Sequence, residues 1–168
     1  MLVKGNCSVI YTIGYEYLSP ADLAAIAAKL DAVVIDVRSR PSGRVKRGFS
    51  RADLTALLTT RYAWWGDDLG GQGVTAKGLD ALELAESRHA STGVNLLLLC
   101  QEAAPGDCHR HHAIAMPLAA RGVTVVHLYE DETFTATALQ RALDDEDPDA
   151  AYDCVSFAEL LAGETPPA

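Results

Sequence analysis

The stretch Val94-Asn95-Leu96-Leu97-Leu98-Leu99 decides the fold class of this 168-residue chain. It is too short to cross a bilayer, and a continuous apolar run of this length is typical of a strand buried on both faces of a parallel sheet. Similar runs occur at residues 8–13, 32–37, 62–65 and 123–128, with helical segments between them. The alternation predicts an α/β fold: a three-layer sandwich with a mainly parallel sheet of about five strands and helices on both faces.

Residues with N-cap character stand before the helical segments. Ser19 is followed by Pro20, which has no N–H to lose at the first helical position, and Ser50 precedes a second apolar stripe. Thr133 is predicted to cap a later helix that reaches Leu143.

The chain is acidic, with 14 Lys and Arg against 23 Asp and Glu, and its charge is unevenly placed. A general nucleic-acid coat protein is disfavoured, because non-specific affinity for phosphate backbones depends on cationic side chains. Six of the 14 cations nevertheless lie in residues 38–51, which we call the basic loop. A locally basic loop can bind an anionic ligand even where the protein as a whole is acidic.

We assign residues 1–145 to a single α/β domain and residues 146–168 to an acidic C-terminal extension that could carry a short docking helix. No apolar run is long enough to span a bilayer, and the first residues lack the apolar block of a signal peptide. A cytoplasmic protein without a membrane partner is therefore expected. The four widely spaced cysteines are expected to be free thiols.

Right-handed crossovers place every strand-to-helix loop at one edge of such a sheet, where ligands bind. Asp107 is predicted to cap a helix whose first turn holds Cys108, His109 and Arg110. Free backbone N–H groups make that turn an anion site, and Arg110 adds a two-pronged donor. The thiol of Cys108 would be acidified there and is a candidate nucleophile. In the alternative interpretation Cys108 is a small buried residue and Arg110 holds two loops together.

A second polar cluster follows the strand at residues 32–37. Asp36 and Arg38 point to the same face of that strand. They either form an internal bridge that fixes the loop, or Asp36 transfers protons while Arg38 or Arg40 clamps an anion. Glu102 is a further candidate for proton transfer. Gly70 and Gly71 would let the backbone approach a ligand. The substrate-binding candidates are Tyr15, Arg38, Arg40, Gly70, Gly71, His109 and Arg110.

The histidines that follow Cys108 allow a metal interpretation. Cys108 has i,i+3 and i,i+4 spacing to His111 and His112, so these side chains could share one helix face. No second ligand pair accompanies them in the sequence. We therefore predict no cofactor and keep the set Cys108, His111 and His112 as the alternative.

These motifs together resemble the domain of unknown function 488 family, over the chain from Thr12 to about Glu130. The matching motifs are, in order, Thr12-Ile13-Gly14-Tyr15, Ile35-Asp36-Val37-Arg38, Pro41-Ser42, Phe49, Leu69-Gly70-Gly71, Leu99-Cys100-Gln101-Glu102, Cys108-His109-Arg110 and Val126-His127-Leu128. The family often has a histidine where this chain has Tyr15. The resemblance implies a compact α/β domain with its site at the strand ends, and it supplies no reaction.

The leading functional expectation is an enzyme, a transferase or hydrolase, acting on a phosphorylated nucleotide-like ligand or on a nucleic-acid base or end. One alternative is rhodanese-like sulfur or phosphate transfer through Cys100. Another is a non-catalytic module whose basic loop binds nucleic acid or an acidic protein. The enzymatic interpretation requires that Asp36, Cys108 and Arg110 meet in one pocket at the rim of the sheet.

Overall fold

The computed structural model describes residues 9–71, 73–144 and 154–167. The strands are β1 (Ile10–Gly14), β2 (Ala32–Asp36), β3 (Tyr62–Trp64), β4 (Asn95–Cys100), β5 (Val125–Tyr129), β6 (Glu132–Thr135) and β7 (Val155–Ser156). The helices are α1 (Pro20–Lys29), α2 (Arg51–Leu58), α3 (Gly66–Leu69), α4 (Ala76–Thr92), α5 (Met116–Ala120), α6 (Ala136–Asp144) and α7 (Phe157–Leu161). A π-helix, Arg110–Ala115, precedes α5. Within these ranges no helix combines the length and apolarity needed to cross a bilayer.

The sheet has the order β3-β2-β4-β1-β5-β6-β7, and its five strands from β3 to β5 are parallel. β1 pairs in parallel with β4 and β5, and β2 with β3 and β4. β6 and β7 extend the β5 edge as antiparallel strands. Residues 96–99 of β4 are buried, as expected for an apolar strand near the middle of the sheet. The predicted three-layer α/β sandwich with a mainly parallel sheet is confirmed.

The sheet has seven strands where the sequence predicted about five. The additional strands β6 and β7 are short, and β6 follows β5 through a tight turn at Glu130, whose φ is 53°. The predicted cap at Thr133 is also wrong. Thr133 lies in β6 and donates to Val155 O, while Thr135 accepts the Ala138 backbone N–H at the start of α6. Threonine suits both strands and caps, so only the strand partner decides its place.

Helices cover both faces of the sheet. Ser19 and Ser50 cap α1 and α2 through reciprocal capping boxes, as the sequence predicted for the starts of these helices. One core lies beneath α1, α2 and α7 and includes Leu23, Leu54 and Leu160. The other core lies beneath α4, the π-helix and α5.

The connections that follow β1 and β2 lie on one face of the sheet, and the connection that follows β4 lies on the other. The first of these is the face of α1 and α2. In open α/β sheets such a divergence opens a crevice at the carboxyl ends of the strands. The topology therefore creates a ligand-sized opening where β1, β2 and β4 end.

The segment after β4 differs from the prediction. Asp107 does not cap a helix but ends a 3₁₀ turn at Pro105–Asp107, and Cys108 is extended with φ −118° and ψ 143°. The helix begins at His109 and continues as the π-helix. Because a π-helix bonds residues five apart rather than four, and because Cys108 lies outside the helix, the predicted helical spacing from Cys108 does not apply.

Residues 145–153, which include most of the acidic residues of the predicted C-terminal extension, lie outside the described part of the chain. Beyond them β7 pairs with β6, and Ser156 caps α7. The buried Leu160 of α7 belongs to the first core. The predicted short helix is thus present and packs on the domain, while a boundary at residue 145 stays a prediction.

A chain of hydrogen bonds through two buried histidines joins the sheet to the helices behind it. Arg110 Nε donates to Thr12 Oγ1 (3.2 Å), which lies 2.7 Å from His127 Nδ1. His127 Nε2 lies 3.0 Å from His111 Nδ1, and His111 Nε2 lies 3.1 Å from Gln140 Oε1. If each group donates to the next, from Arg110 towards Gln140, every nitrogen and oxygen in this chain of hydrogen bonds has a partner. In this arrangement both imidazoles are neutral. Burial lowers the pKa of His111 to about 4 and that of His127 well below its usual value.

The first prediction concerns acid stability. Below about pH 6.5 the unfolded chain binds a proton at His127, whereas the native chain does not. This histidine should therefore leave the free energy of unfolding unchanged above about pH 6.5 and decrease it as the pH drops further. The slope should reach about 1.4 kcal/mol per pH unit for this histidine. Urea unfolding of wild type and of His127→Gln between pH 7.5 and 4.5 measures it, and the variant should show a shallower slope.

The matched control is His112→Gln, because the His112 side chain is exposed and its Nε2 lies 2.6 Å from the Gly106 carbonyl oxygen, outside the buried hydrogen-bond chain. Its slope should lie closer to that of wild type than the slope of His127→Gln does. Equal slopes for wild type and His127→Gln would contradict a neutral, buried His127.

Candidate active site at the carboxyl edge of the sheet

A pocket of about 220 Å³ opens where β1, β2 and β4 end. We call it the rim pocket. Its walls come from four connections that are distant in sequence, as the right-handed crossovers require. The lining residues include Tyr15, Arg38, Arg40, Gly71, Cys100, Glu102 and His109. Six of these were predicted as site residues from the sequence; Asp36, Gly70, Cys108 and Arg110 do not line the pocket. The meeting of Asp36, Cys108 and Arg110 in one pocket, on which the enzymatic interpretation depended, is therefore not found, and a reactive site here depends on Cys100, Glu102 and His109 instead.

Asp36 forms the internal bridge that was one of the two interpretations of its motif. The residue is fully buried, and its Oδ1 accepts from Arg38 Nε (2.8 Å) and from the Arg38 backbone N–H (3.1 Å). Its Oδ2 accepts from Arg38 Nη2 (2.6 Å) and from Tyr62 Oη (2.7 Å). With both oxygens engaged by the protein, Asp36 positions Arg38 and does not face a ligand.

Arg38 is held firmly at the pocket wall. Besides Asp36, its guanidinium donates to Phe49 O (2.9 Å) and lies 4.8 Å from the centre of the Tyr15 ring. The Tyr15 ring stacks on the Phe49 ring with centroids 4.3 Å apart. Arg38 is therefore a fixed cation, in contrast to Arg40, whose side chain is exposed at the mouth of the pocket.

The basic loop is fastened across the edge of the sheet. Lys46 Nζ donates to Glu16 O (2.9 Å), and the Arg51 guanidinium lies 4.4 Å from the Trp64 ring centre. The Arg51 backbone N–H donates to Pro41 O (3.1 Å). These contacts make the loop a wall of the rim pocket.

Arg110 holds two segments together, as the alternative interpretation proposed. The residue is fully buried, and it donates to Thr12 Oγ1, to Glu102 O and to Ala103 O. It thereby fixes the turn that carries Glu102 and is not available to a ligand in the pocket. Gly14 is required beside this turn, because a Cβ there would lie 1.8 Å from Glu102 O.

The two glycines after α3 have different roles. A Cβ on Gly70 would lie 2.4 Å from Gly66 O and 2.6 Å from the Ser39 Cα, so Gly70 permits close packing of two protein segments. Gly71 lines the pocket and has a φ of 59°, a conformation that favours glycine.

Two thiols, an imidazole and a carboxylate converge beside the pocket. Cys100 ends β4, and its Sγ lies 3.2 Å from Glu102 Oε2; the Sγ of Cys108 lies 3.1 Å from the same oxygen. His109 Nδ1 lies 3.7 Å from the Cys100 sulfur and 3.8 Å from the Cys108 sulfur. We call these four residues the thiol cluster.

One hydrogen bond sets the protonation of His109. Its Nε2 lies 3.1 Å from the Leu69 carbonyl oxygen, which can only accept. Nε2 therefore carries a proton, and Nδ1 is the nitrogen that faces the two sulfurs.

The four groups of the thiol cluster shift one another's pKa values in opposite directions. Hydrogen bonds from Cys100 and from His109, together with the Arg110 cation, lower the pKa of Cys108 to about 5 against the opposing effect of burial. The neighbouring Cys108 sulfur and burial raise the pKa of Cys100. Burial alone would raise the pKa of Glu102, but the hydrogen bonds that its carboxylate accepts lower it. Burial alone would lower the pKa of His109, but its contact with Cys108 raises it. In the cluster the negative charge thus lies on Cys108 and Glu102.

The alternative metal set Cys108, His111 and His112 is not assembled. Both nitrogens of His111 are engaged in the buried chain, and His112 Nε2 lies 2.6 Å from Gly106 O. Over the described ranges, the three metal-ligating groups that lie within 4.8 Å of one another are Cys100, Cys108 and His109. The extended conformation of Cys108 turns its side chain back towards β4 instead of along the helix.

From the sequence, Cys100 was a candidate for sulfur or phosphate transfer and was not connected with Cys108 and His109. Its signal was its position as the last residue of the most apolar strand. That signal predicts a place at the rim but not which neighbours meet it there.

The second prediction tests the Asp36–Arg38 bridge. Asp36→Asn should lower the free energy of unfolding by roughly 3 kcal/mol, because it leaves the buried guanidinium without its counter-charge. Asp31→Asn is the matched control, since it removes an exposed ion pair with Arg61 and should cost less than about 1 kcal/mol. Chemical denaturation of both variants at pH 7 measures the difference, and equal losses would contradict a structural role for the buried pair.

Comparison of the chain with protein-family models, curated protein sequences and solved structures finds no match in any of the three. The resemblance to the domain of unknown function 488 family therefore stays a prediction. The rim pocket and the thiol cluster are therefore the features of the chain that bear on its function.

Proposed function

We propose that the chain is an enzyme, a transferase or hydrolase, that acts at the rim pocket on a phosphorylated nucleotide-like ligand or on a nucleic-acid base or end. The observation that carries the proposal is the pairing, in one pocket, of cationic groups on one wall with the Glu102 carboxylate and the Cys100 thiol on the other. The first wall suits an anion, and the second suits bond-breaking chemistry.

The anion would be received by two arginines of different character. Arg38 is fixed by Asp36 and Phe49, so its charge needs no reorganisation when a ligand arrives. Arg40 is exposed and would close on the anion from the mouth of the pocket. The remaining cations of the basic loop raise the local concentration of anions around an otherwise acidic protein.

The size of the pocket favours recognition of one end of the substrate. Its volume of about 220 Å³ is below the roughly 300–1,000 Å³ of pockets that enclose whole drug-sized ligands. A phosphate with its sugar, or a single base, would fill it while the rest of the ligand stays in solvent. Glu102 lies on the opposite wall, where its carboxylate would accept a proton from the attacking group.

Sulfur transfer is a second candidate, favoured by the place of Cys100 at a strand end within the pocket. Cys100 would pass its thiol proton to Glu102 and attack the outer sulfur of thiosulfate, breaking the S–S bond and releasing sulfite. Cyanide would then take the sulfur from the persulfide and release the Cys100 sulfur. A thiosulfate:cyanide assay distinguishes it, because Cys100→Ser should abolish turnover and Cys154→Ser should not.

The third prediction tests the main proposal with nucleoside mono-, di- and triphosphates, free nucleosides and short single strands bearing a terminal phosphate. Arg40→Gln should weaken binding by about 10- to 100-fold through loss of a charged hydrogen bond. Arg47→Gln, an exposed cation of the same loop outside the pocket lining, should bind like wild type. Glu102→Gln should bind but turn over at least about 100-fold more slowly. Isothermal calorimetry and product analysis by mass spectrometry are the measurements.

Equal weakening by Arg40→Gln and Arg47→Gln, with steep salt dependence and no turnover of any compound, would favour the non-catalytic binding module instead. The absence of both binding and turnover across the series would overturn the proposal.

A further inference from the structure

We propose that Cys100, Cys108 and His109 form a three-ligand site for a Zn²⁺-type ion, with its fourth coordination position open towards the rim pocket beside Glu102. The assignment of the metal stands on the donor arrangement alone. Its catalytic consequence, a metal-activated water, rests on the function proposed above.

The separations of the donor atoms suit a tetrahedral ion. With Zn–S near 2.3 Å and Zn–N near 2.0–2.1 Å, two ligands of a tetrahedral site lie about 3.6 Å apart. His109 Nδ1 lies 3.7 and 3.8 Å from the two sulfurs, and all three donor atoms lie within 4.8 Å of one another. The nitrogen is thus nearly equidistant from two thiols, as a shared ion requires.

The surroundings of the donors are those of a prepared site. The Nε2–H of His109 donates to the Leu69 carbonyl, which fixes the ring and leaves Nδ1 to bind; metal-ligating histidines almost always have such a partner. Cys100 and Cys108 are 3% and 2% exposed, so the ion would be shielded from competing ligands on the sulfur side.

Glu102 fits the role of a neighbour rather than a ligand. Its Oε2 contacts both sulfurs, yet Glu102 is not part of the group whose donor atoms all lie within 4.8 Å of one another. In the metal-free protein its carboxylate accepts a hydrogen bond from the Cys100 thiol. On binding of Zn²⁺ that thiol proton would leave to solvent, and Glu102 would be free to accept a proton from water on the ion.

The open position would face the substrate, because Cys100, Glu102 and His109 all line the rim pocket. Three protein ligands with a vacant fourth position are characteristic of catalytic rather than structural zinc. Two cysteines, one histidine and an unligated glutamate are also the groups that activate water in zinc-dependent nucleobase deaminases. In the step we infer, the water proton passes to Glu102, the hydroxide adds to the electrophilic atom of the substrate, and the leaving group departs with the proton from Glu102. The site thus favours hydrolysis over sulfur transfer, since sulfurs bound to an ion are not free nucleophiles.

The experiment is titration of the metal-free, thiol-reduced protein with Co²⁺, followed by competition with Zn²⁺. Wild type should bind one Co²⁺ per chain, with a sulfur-to-cobalt charge-transfer band and the visible bands of tetrahedral cobalt, and Zn²⁺ should remove both. Cys100→Ser, Cys108→Ser and His109→Gln should each weaken binding by more than about 100-fold, beyond the ~10- to 100-fold typical of a lost supporting contact. Cys154→Ser, the same substitution at an exposed cysteine, should bind like wild type.

Glu102→Gln should retain Co²⁺ binding and its spectrum, and circular dichroism and thermal melting of every variant establish that it is folded. His109→Gln keeps both thiols, so it tests the site even where a cysteine variant fails to fold. Failure of reduced wild type to bind stoichiometric Co²⁺ would overturn the assignment. So would binding that survives His109→Gln, or a Cys100–Cys108 disulfide that forms in air while the reduced protein binds no metal.

The two proposals fail separately. Stoichiometric Co²⁺ binding without turnover of any nucleotide-type compound supports the metal site and counts against the enzyme. Turnover that is unaffected by chelation and by His109→Gln supports the enzyme and removes the metal from its mechanism.

Discussion

The buried guanidinium of Arg110 is the interaction on which the candidate site depends. A buried charged group is costly unless its donors are hydrogen-bonded. Arg110 donates to Thr12 in β1 and to the carbonyl oxygens of Glu102 and Ala103. The turn after β4 is thereby pinned against β1, with Gly14 leaving room for it. Cys100, Glu102 and the start of the π-helix are held close together as a result.

A second buried arginine does the same on the other side of the rim pocket. Arg38 is bound by Asp36 and stacked on Tyr15, so the wall that begins the basic loop is as fixed as the wall that carries Glu102. Arg110 belongs to the framework alone, whereas Arg38 also lines the pocket, and the exposed cation at its mouth is Arg40. Such a division is expected where rigid supporting residues hold the groups that contact substrate.

The thiol cluster gives the site its chemistry. Two sulfurs, one imidazole nitrogen and a carboxylate oxygen lie within hydrogen-bond or near-contact distance across a gap between β4 and the π-helix. The same groups allow metal binding, thiol chemistry or proton transfer, depending on what occupies the gap. These groups lie beside a cationic wall, even though the chain as a whole has a net charge of −9.

The sequence by itself determined the α/β class and the helix starts at Ser19 and Ser50, because apolar periodicity and capping are local properties. It also indicated the strand ends as the place of the candidate site. It could also name Asp36 and Arg38 as a pair, since they lie two residues apart on one strand. Only the tertiary structure decided that Asp36 and Arg110 are buried supports, that Cys100 meets Cys108 and His109, and that His111 turns towards His127. The physical reason is that these contacts depend on strand order, on a 3₁₀ turn that returns Cys108 to β4, and on a π-helix that shifts the phase of the side chains after it. No local propensity encodes those three features; they follow from packing the whole chain around its sheet.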